Sequence, residues 1–350
     1  MTRAFPPIAG AGAGAGQIRK VGKRLLYGLA VLFATVTLAF LVNDVLPSDP
    51  ARMVAGAQAR PAEVEKVRRE LALDRPVPVR YALFLRRLVH VSLGGASRDH
   101  ATCGTLGPLH LDLGKSYQQR RPVVKILAER LPRTLFLAVS AVMVQAALGI
   151  ALGVYAAKNR RTAKDRITVG GSLVATSAPT FITGLVLQLV FARALGVLPL
   201  DGFGATPGEH LVSVVLPALT LGLYGAALYT RLTRDEMLSA LSQDYIRTAR
   251  AKGLGDLGVV RHALRNVAVP LVTVVGLDLG ALVSGAAVTE TLFRWPGLGS
   301  LAVSALLDRD GPVLMGTVLV TCTGVVLSNM LVDLAVAWLD PRTRRERART

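Results

Sequence analysis

A carboxylate set deep in an apolar run is the residue best placed to do chemistry in this chain, and that residue is Asp278. It lies near the middle of Val267–Phe293, where a charge facing lipid is disfavoured by about 2.5–3.5 kcal/mol on insertion scales. Such a group must face a water-filled path or a polar partner. It can hold a cation or an ammonium group, or it can accept an interhelical hydrogen bond. Glu290 lies toward the end of the same run, and Asp44 and Asp333 lie toward the ends of two others. Catalysis would need a denser constellation. His90, His100, His110, His210 and His262 are scattered, with no His-Glu-x-x-His, Cys-x-x-Cys or Gly-x-Ser-x-Gly. Cys103 and Cys322 fall in different segments and read as unpaired. No Gly-x-x-x-x-Gly-Lys-Ser/Thr cradle for nucleotide phosphates occurs. The chain reads as no enzyme, with no metal-ligating residues and no cofactor of its own.

The elements that must position Asp278 are membrane spans. Of 350 residues, 51% are hydrophobic and 18% charged, and the mean hydropathy is +0.45, too apolar for an ordinary soluble domain. Six apolar runs stand out: Leu25–Leu46, Thr134–Ala157, Ile167–Phe191, Leu211–Thr230, Val267–Phe293 and Val313–Leu339. Each reaches the roughly 20 residues an α-helix needs to cross the hydrocarbon layer. The second, third and fourth hold no charge, so they lack the polar face of a soluble helix.

Basic residues set the orientation. Arg19, Lys20, Lys23 and Arg24 precede the first run, and Lys158, Arg160, Arg161, Lys164 and Arg166 join the second to the third. Arg231, Arg234, Arg247, Arg250, Lys252, Arg261 and Arg265 lie between the fourth and fifth, and Arg342 to Arg349 close the chain. Both termini are therefore expected in the cytoplasm. Segment 47–133 is Arg-rich yet expected outside, because it exceeds the ~60 residues within which charge dictates topology. The formal charge of +18 is spread along membrane flanks, which argues against nucleic acid and for lipid headgroups. The first run is longer than a signal-peptide core and Leu46-Pro47-Ser48-Asp49-Pro50 follows it, so it reads as an uncleaved span. The Gly/Ala repeat Ala9–Gly16 reads as part of an unstructured tail. The expected organisation is a tail at 1–24, a first span at 25–46, an outer segment at 47–133, a five-helix core at 134–339 and a tail at 340–350. Within the core, 231–266 forms a cytoplasmic loop.

In the outer segment, Val64, Val67 and Leu71 share one face of an expected helix over Pro61–Leu73, and Tyr81, Leu85, Leu88 and Val89 make a second stripe. The whole segment reads as a small helical cap. In the cytoplasmic loop, Asp244 is expected to cap a short helix, Tyr245–Lys252, and Gly253 to end it in the left-handed region. Asp256–Arg265 then resumes helix, with Pro270 tolerated early in the next span. A basic knob tied to two spanning helices results.

The knob carries a resemblance. Asp244-Tyr245-Ile246-Arg247-Thr248-Ala249-Arg250-Ala251-Lys252-Gly253-Leu254, then Arg261-His262-Ala263-Leu264-Arg265-Asn266 and Pro270, resembles the coupling loop of ABC-importer permeases of the peptide/nickel branch. Asn43–Pro50, Glu70–Pro76, Asp112–Tyr117, Arg130–Thr134 and Thr289–Gly299 resemble further signatures of that branch. The resemblance runs from about Arg19 to Arg345. It implies an all-α membrane protein of six spans with the type I importer fold. It further implies a second, similar permease chain, two ATP-binding subunits that use ATP and magnesium, and an external substrate-binding protein. The knob residues would sit in a groove of the ATP-binding subunit, and Asp278 and Glu290 are expected along the translocation path. The implied cargo is di- or oligopeptide, with nickel as the alternative. An ion-gradient-driven transporter would show inverted repeats and ionisable relays, and neither is found here. Two departures stand out: a longer stretch between His90 and Asp112, including Gly94-Gly95 and Cys103-Gly104, and Asp278 where the family commonly has Gln.

Overall fold

The computed structural model describes residues 12–45, 50–56, 58–91, 103–106 and 109–339. Gly94, Gly95 and the 340–350 tail lie outside them. Helix α1 runs Gly12–Val45 and so begins inside the Gly/Ala repeat expected to lack structure. Short helices α2 (Pro50–Ala55), α3 (Pro61–Glu70) and α4 (Val77–Leu88) follow. Helix α4 lies on α1. The Asp44 carboxylate pairs with Arg80, Thr37 shares a 2.6 Å hydrogen bond with Tyr81, and Phe40 packs on Tyr81 and Phe84.

The outer segment is not wholly helical. Strands β1 (Val89–Val91), β2 (Cys103–Leu106) and β3 (Leu109–Asp112) form an antiparallel sheet in the order β1-β3-β2. Leu106 pairs with Leu109, and Leu109-His110-Leu111-Asp112 alternates apolar and polar in the sequence. Strands of three or four residues are too short to impose that period on a stripe read as helical.

The core follows. Helix α5 spans Val123–Lys158 and passes straight through Pro132, so it starts well before Thr134. The expected third span is broken. Helix α6 (Ala163–Ser177) meets α7 (Thr180–Leu187), which continues as a π-helical turn over Gln188–Ala194, at a bend of 100°. Ala178 is extended (ψ 130°) because it precedes Pro179, whose ring disfavours the helical region one residue upstream. Then come α8 (Pro207–Ser213), α9 (Val215–Leu241), α10 (Asp244–Ala251), α11 (Asp256–Gly285), α12 (Ala287–Leu292), α13 (Leu298–Leu307) and α14 (Gly311–Leu339).

Among the described residues four helical stretches are long and apolar enough to cross a membrane: Val123–Lys158, Pro207–Leu241, Asp256–Ser284 and Gly311–Val336. The bent pair makes a fifth if counted as one span, and Leu26–Leu41 of α1 is a shorter apolar stretch. Helices α5 and α9 form the tightest pair. A Cβ on Gly149 would sit 2.2 Å from Tyr229 Cβ and 2.8 Å from the Ala226 carbonyl. One on Gly153 would sit 2.5 Å from Thr233 Cβ. Gly149 and Gly153 are four residues apart, the small-residue spacing that lets membrane helices approach closely.

Candidate functional site

The knob at α10 is built by local sequence. Gln243, extended at φ −76° and ψ 153°, is the residue before α10, and its carbonyl accepts from the amides of Ile246 (3.1 Å) and Arg247 (3.4 Å). Asp244 is therefore the first helical residue and not the cap. Its carboxylate still opposes the positive end of the helix dipole and receives Arg247 Nη1 at 3.3 Å. At the far end Lys252 is the last capping position and Gly253 has φ +83°. The Gly253 amide donates to the Arg250 carbonyl (2.9 Å) and the Leu254 amide to the Ala249 carbonyl (3.2 Å). These are the paired bonds of a Schellman closure, which needs the left-handed residue that glycine supplies.

Ile246 is fully buried and anchors α10 in one cluster with Met237 of α9 and Val259, Ala263 and Val267 of α11. The Tyr245 ring lies 5.7 Å from the His262 ring, and its hydroxyl is buried without a partner. Asp244, Arg247, Thr248, Arg250, Ala251, Lys252, Gly253 and Leu254 remain exposed, and Ala249 is half-buried. The sequence reading stopped at Leu254 and missed Leu257, which is 82% exposed on the first turn of α11. Its signal was available, since two leucines three apart in a polar loop have no core to enter.

A half-buried ion pair links α9 to α6. Arg234 of α9 grips Asp165 of α6 with two bonds, Nε to Oδ1 at 2.7 Å and Nη2 to Oδ2 at 2.9 Å. The Arg161 amide adds a third bond to Asp165 at 3.1 Å. A two-pronged guanidinium pair of this kind fixes orientation as well as distance.

Asp278 sits where α5, α9 and α11 meet. Gln145 Nε2 of α5 donates to its Oδ2 at 3.1 Å. Tyr229 of α9, 0% exposed, lies within electrostatic reach, while its hydroxyl has no hydrogen-bond partner of good geometry. Gly225 makes room for Gln145, because a Cβ there would lie 1.7 Å from Oε1. Gln145 and Tyr229 were not singled out in the sequence, where neither carries charge nor sits in a motif.

Glu290, expected along the translocation path, is 0% exposed. Thr134 Oγ1 donates to its Oε1 (2.8 Å) and the Ser300 amide to its Oε2 (2.8 Å). Thr134 in turn accepts from the Leu298 amide at 2.7 Å, and Trp295 Nε1 donates to the Arg133 carbonyl at 3.0 Å. The carboxylate thus neutralises the free amides at the start of α13 and ties α12 and α13 to α5. Its contacts in this structure are internal.

Residues 149–345 match the family of binding-protein-dependent transport system inner membrane components, and residues 17–138 match the N-terminal model of the same transport systems. The chain belongs to this family. It is an inner-membrane permease subunit of a binding-protein-dependent ABC importer. The permease is 37% identical over 329 residues to the glutathione transport system permease protein GsiC of Salmonella paratyphi A, covering 94% of this chain and 99% of that one. It is 38% identical over 329 residues to GsiC of Escherichia coli O6:H1, covering the same shares of each. A putative peptide transport system permease protein of Brucella abortus is 37% identical over 326 residues, covering 92% of this chain and 98% of that one. Among solved structures, the MetNI methionine ABC transporter in inward-facing conformations superposes with a TM-score of 0.52 at 20% identity. That match covers 63% of this chain and 98% of that one, and supports the fold.

At the opposite end of the permease from α10, Asp310, buried before α14, receives the Ser116 hydroxyl and the amides of Tyr117 (3.2 Å) and Gln118 (3.3 Å). Burial, aided by the Asp310 charge, pushes the Tyr117 phenol up to about 12. The Asp112–Tyr117 signature is thereby pinned to the α13–α14 turn. Among the described residues no cluster of three or more His, Cys, Asp or Glu could hold a metal ion.

Proposed function

We propose that this permease imports di- or oligopeptides, one half of a pore completed by a second, similar chain. The reading has α1 as a sixth span, both termini in the cytoplasm and segment 47–133 outside, where the substrate-binding protein docks. Two ATP-binding subunits, which use ATP and magnesium, grip the knob from Asp244 to Leu254. As they close on ATP, the two knobs are drawn together. Because Ile246 ties α10 to α9 and α11, that displacement passes to the helices carrying Tyr229 and Asp278.

The observation that carries the cargo class is the near-complete overlap with permeases named for glutathione and for peptides. The test is uptake by proteoliposomes holding both permeases, the ATPases and the binding protein. The account expects uptake of short peptides that requires ATP and the binding protein and survives collapse of the proton gradient. Uptake of chelated nickel with no peptide uptake would refute the cargo. Uptake that follows the proton gradient without ATP would refute the importer class.

A further inference from the structure

An intramembrane carboxylate needs a counter-charge, and Asp278 has none among the described residues: no Lys, Arg or His forms an ion pair with it. Its one hydrogen bond of good geometry, from Gln145, occupies Oδ2. The Tyr229 hydroxyl is fully buried beside Asp278 and Gln145 yet makes no hydrogen bond of good geometry, which is unfavourable unless some state of the protein satisfies it. Asp278 itself is only half-buried, so the carboxylate is the open edge of a cluster whose other members, Gln145 (3% exposed) and Tyr229 (0%), lie behind it.

We propose that Asp278 and the Tyr229 hydroxyl form a transient site for a primary ammonium group, with Gln145 as the residue that positions the carboxylate. An –NH3⁺ group offers three donors and one positive charge. The site offers oxygens only: Asp278 Oδ1, left free by Gln145, and the Tyr229 oxygen. A single carboxylate with a phenol and a carboxamide suits an ammonium better than a transition metal, which favours imidazole or thiolate ligands. The site lies where three helices meet, so relative movement of α11 against α5 and α9 opens or closes it. As a step in cargo passage, this rests on the peptide-import reading. As a binding property, it does not.

The test uses the complete importer in lipid nanodiscs and dicyclohexylcarbodiimide, which attacks carboxyl groups within membranes. Total modification of Asp278, as the N-acylurea or as the amide formed when an added amine captures the activated carboxyl, is followed by mass spectrometry, so that amine capture is not read as protection. Ethylammonium chloride at about ten times its half-protecting concentration should slow modification of Asp278 roughly tenfold through site occupancy, while sodium chloride at equal strength should not. Glycylglycine amide and N-acetyl-lysine amide then tell an amino terminus from a lysine side chain. Tyr229→Phe and Gln145→Leu should each weaken the protection with assembly intact. Three results would overturn the site: no labelling of Asp278 at all, labelling indifferent to ethylammonium, or equal slowing by sodium. Protection by ethylammonium in an importer that takes up no peptide would leave the site standing and remove the peptide cargo.

Discussion

Adding one methyl group at Gly149 should separate the two helices that frame the core. Gly149→Ala places a Cβ 2.2 Å from Tyr229 Cβ, 2.8 Å from the Ala226 carbonyl oxygen and 3.1 Å from the Thr230 amide nitrogen. Two of these neighbours are backbone atoms, so no side-chain rotation relieves the contact. Carbon atoms pack best at about 3.5–4.0 Å, so α5 and α9 must part by about 1.3 Å at this point. Overpacking of this kind typically costs 1–3 kcal/mol. The penalty belongs at the upper end here, because parting also loosens Gly153, where a Cβ would already lie 2.5 Å from Thr233 Cβ. Gly170 and Gly171 of α6 supply the control: a Cβ at either meets nothing within 4 Å. There Ala should be neutral or stabilise by up to about 1 kcal/mol through helix propensity. Thermal stability in detergent, read by fluorescence-detected size exclusion, should fall by roughly 5 °C for Gly149→Ala and not for Gly170→Ala. Equal behaviour of the two variants would refute close α5–α9 packing.

Gly253→Val should abolish ATP-driven uptake while the protein still inserts in the membrane, since a β-branched residue resists φ +83°; normal uptake in that variant would contradict the closure of α10. Asp165→Asn should destabilise the permease by about 1.5–3 kcal/mol, the scale of a hydrogen bond to a charged group in a half-buried pair, with the reciprocal Asp165→Arg, Arg234→Asp double variant recovering part of the loss. A surface contact would show under 1 kcal/mol in the same melting assay. Glu290→Gln keeps one acceptor for Thr134 or Ser300 and should lower stability modestly, whereas Glu290→Ala should disrupt folding; similar losses in both would argue that shape, not hydrogen bonding, holds α13 to α5.

Long-range apolarity made the spanning helices legible, and chain chemistry made the knob legible. Gly253 needs φ > 0 wherever the helix ends, so its role could be read from the residue itself. The N-terminal boundary of α10 could not, because Asp244 serves equally well as a cap or as a first-turn anion. The break at Ala178-Pro179 was written in the sequence but hidden inside a charge-free run whose length alone suggested one straight span. The small sheet was lost for the opposite reason, its strands being shorter than the window over which periodicity speaks. The amides of α13 that reach Glu290, nine and ten residues later, could not be read from the sequence, because they converge on it only through the turn between α12 and α13. Gln145, Tyr229 and the close approach at Gly149 are products of tertiary packing, although the Gly149/Gly153 spacing was a readable hint.

The central claim is that the exposed face of α10, with Leu254 and Leu257, transmits ATP-driven motion from a separate subunit. Cysteine cross-linking tests it most directly. With Cys103 and Cys322 replaced by Ser, Thr248→Cys should cross-link to the ATP-binding subunit through a short bifunctional thiol reagent, and the cross-link should arrest ATP-driven uptake until reduced. Cysteine at Thr168, one turn beyond Asp165 on α6, should not cross-link. Cross-linking absent at Thr248, or present there with uptake undisturbed, would contradict the account.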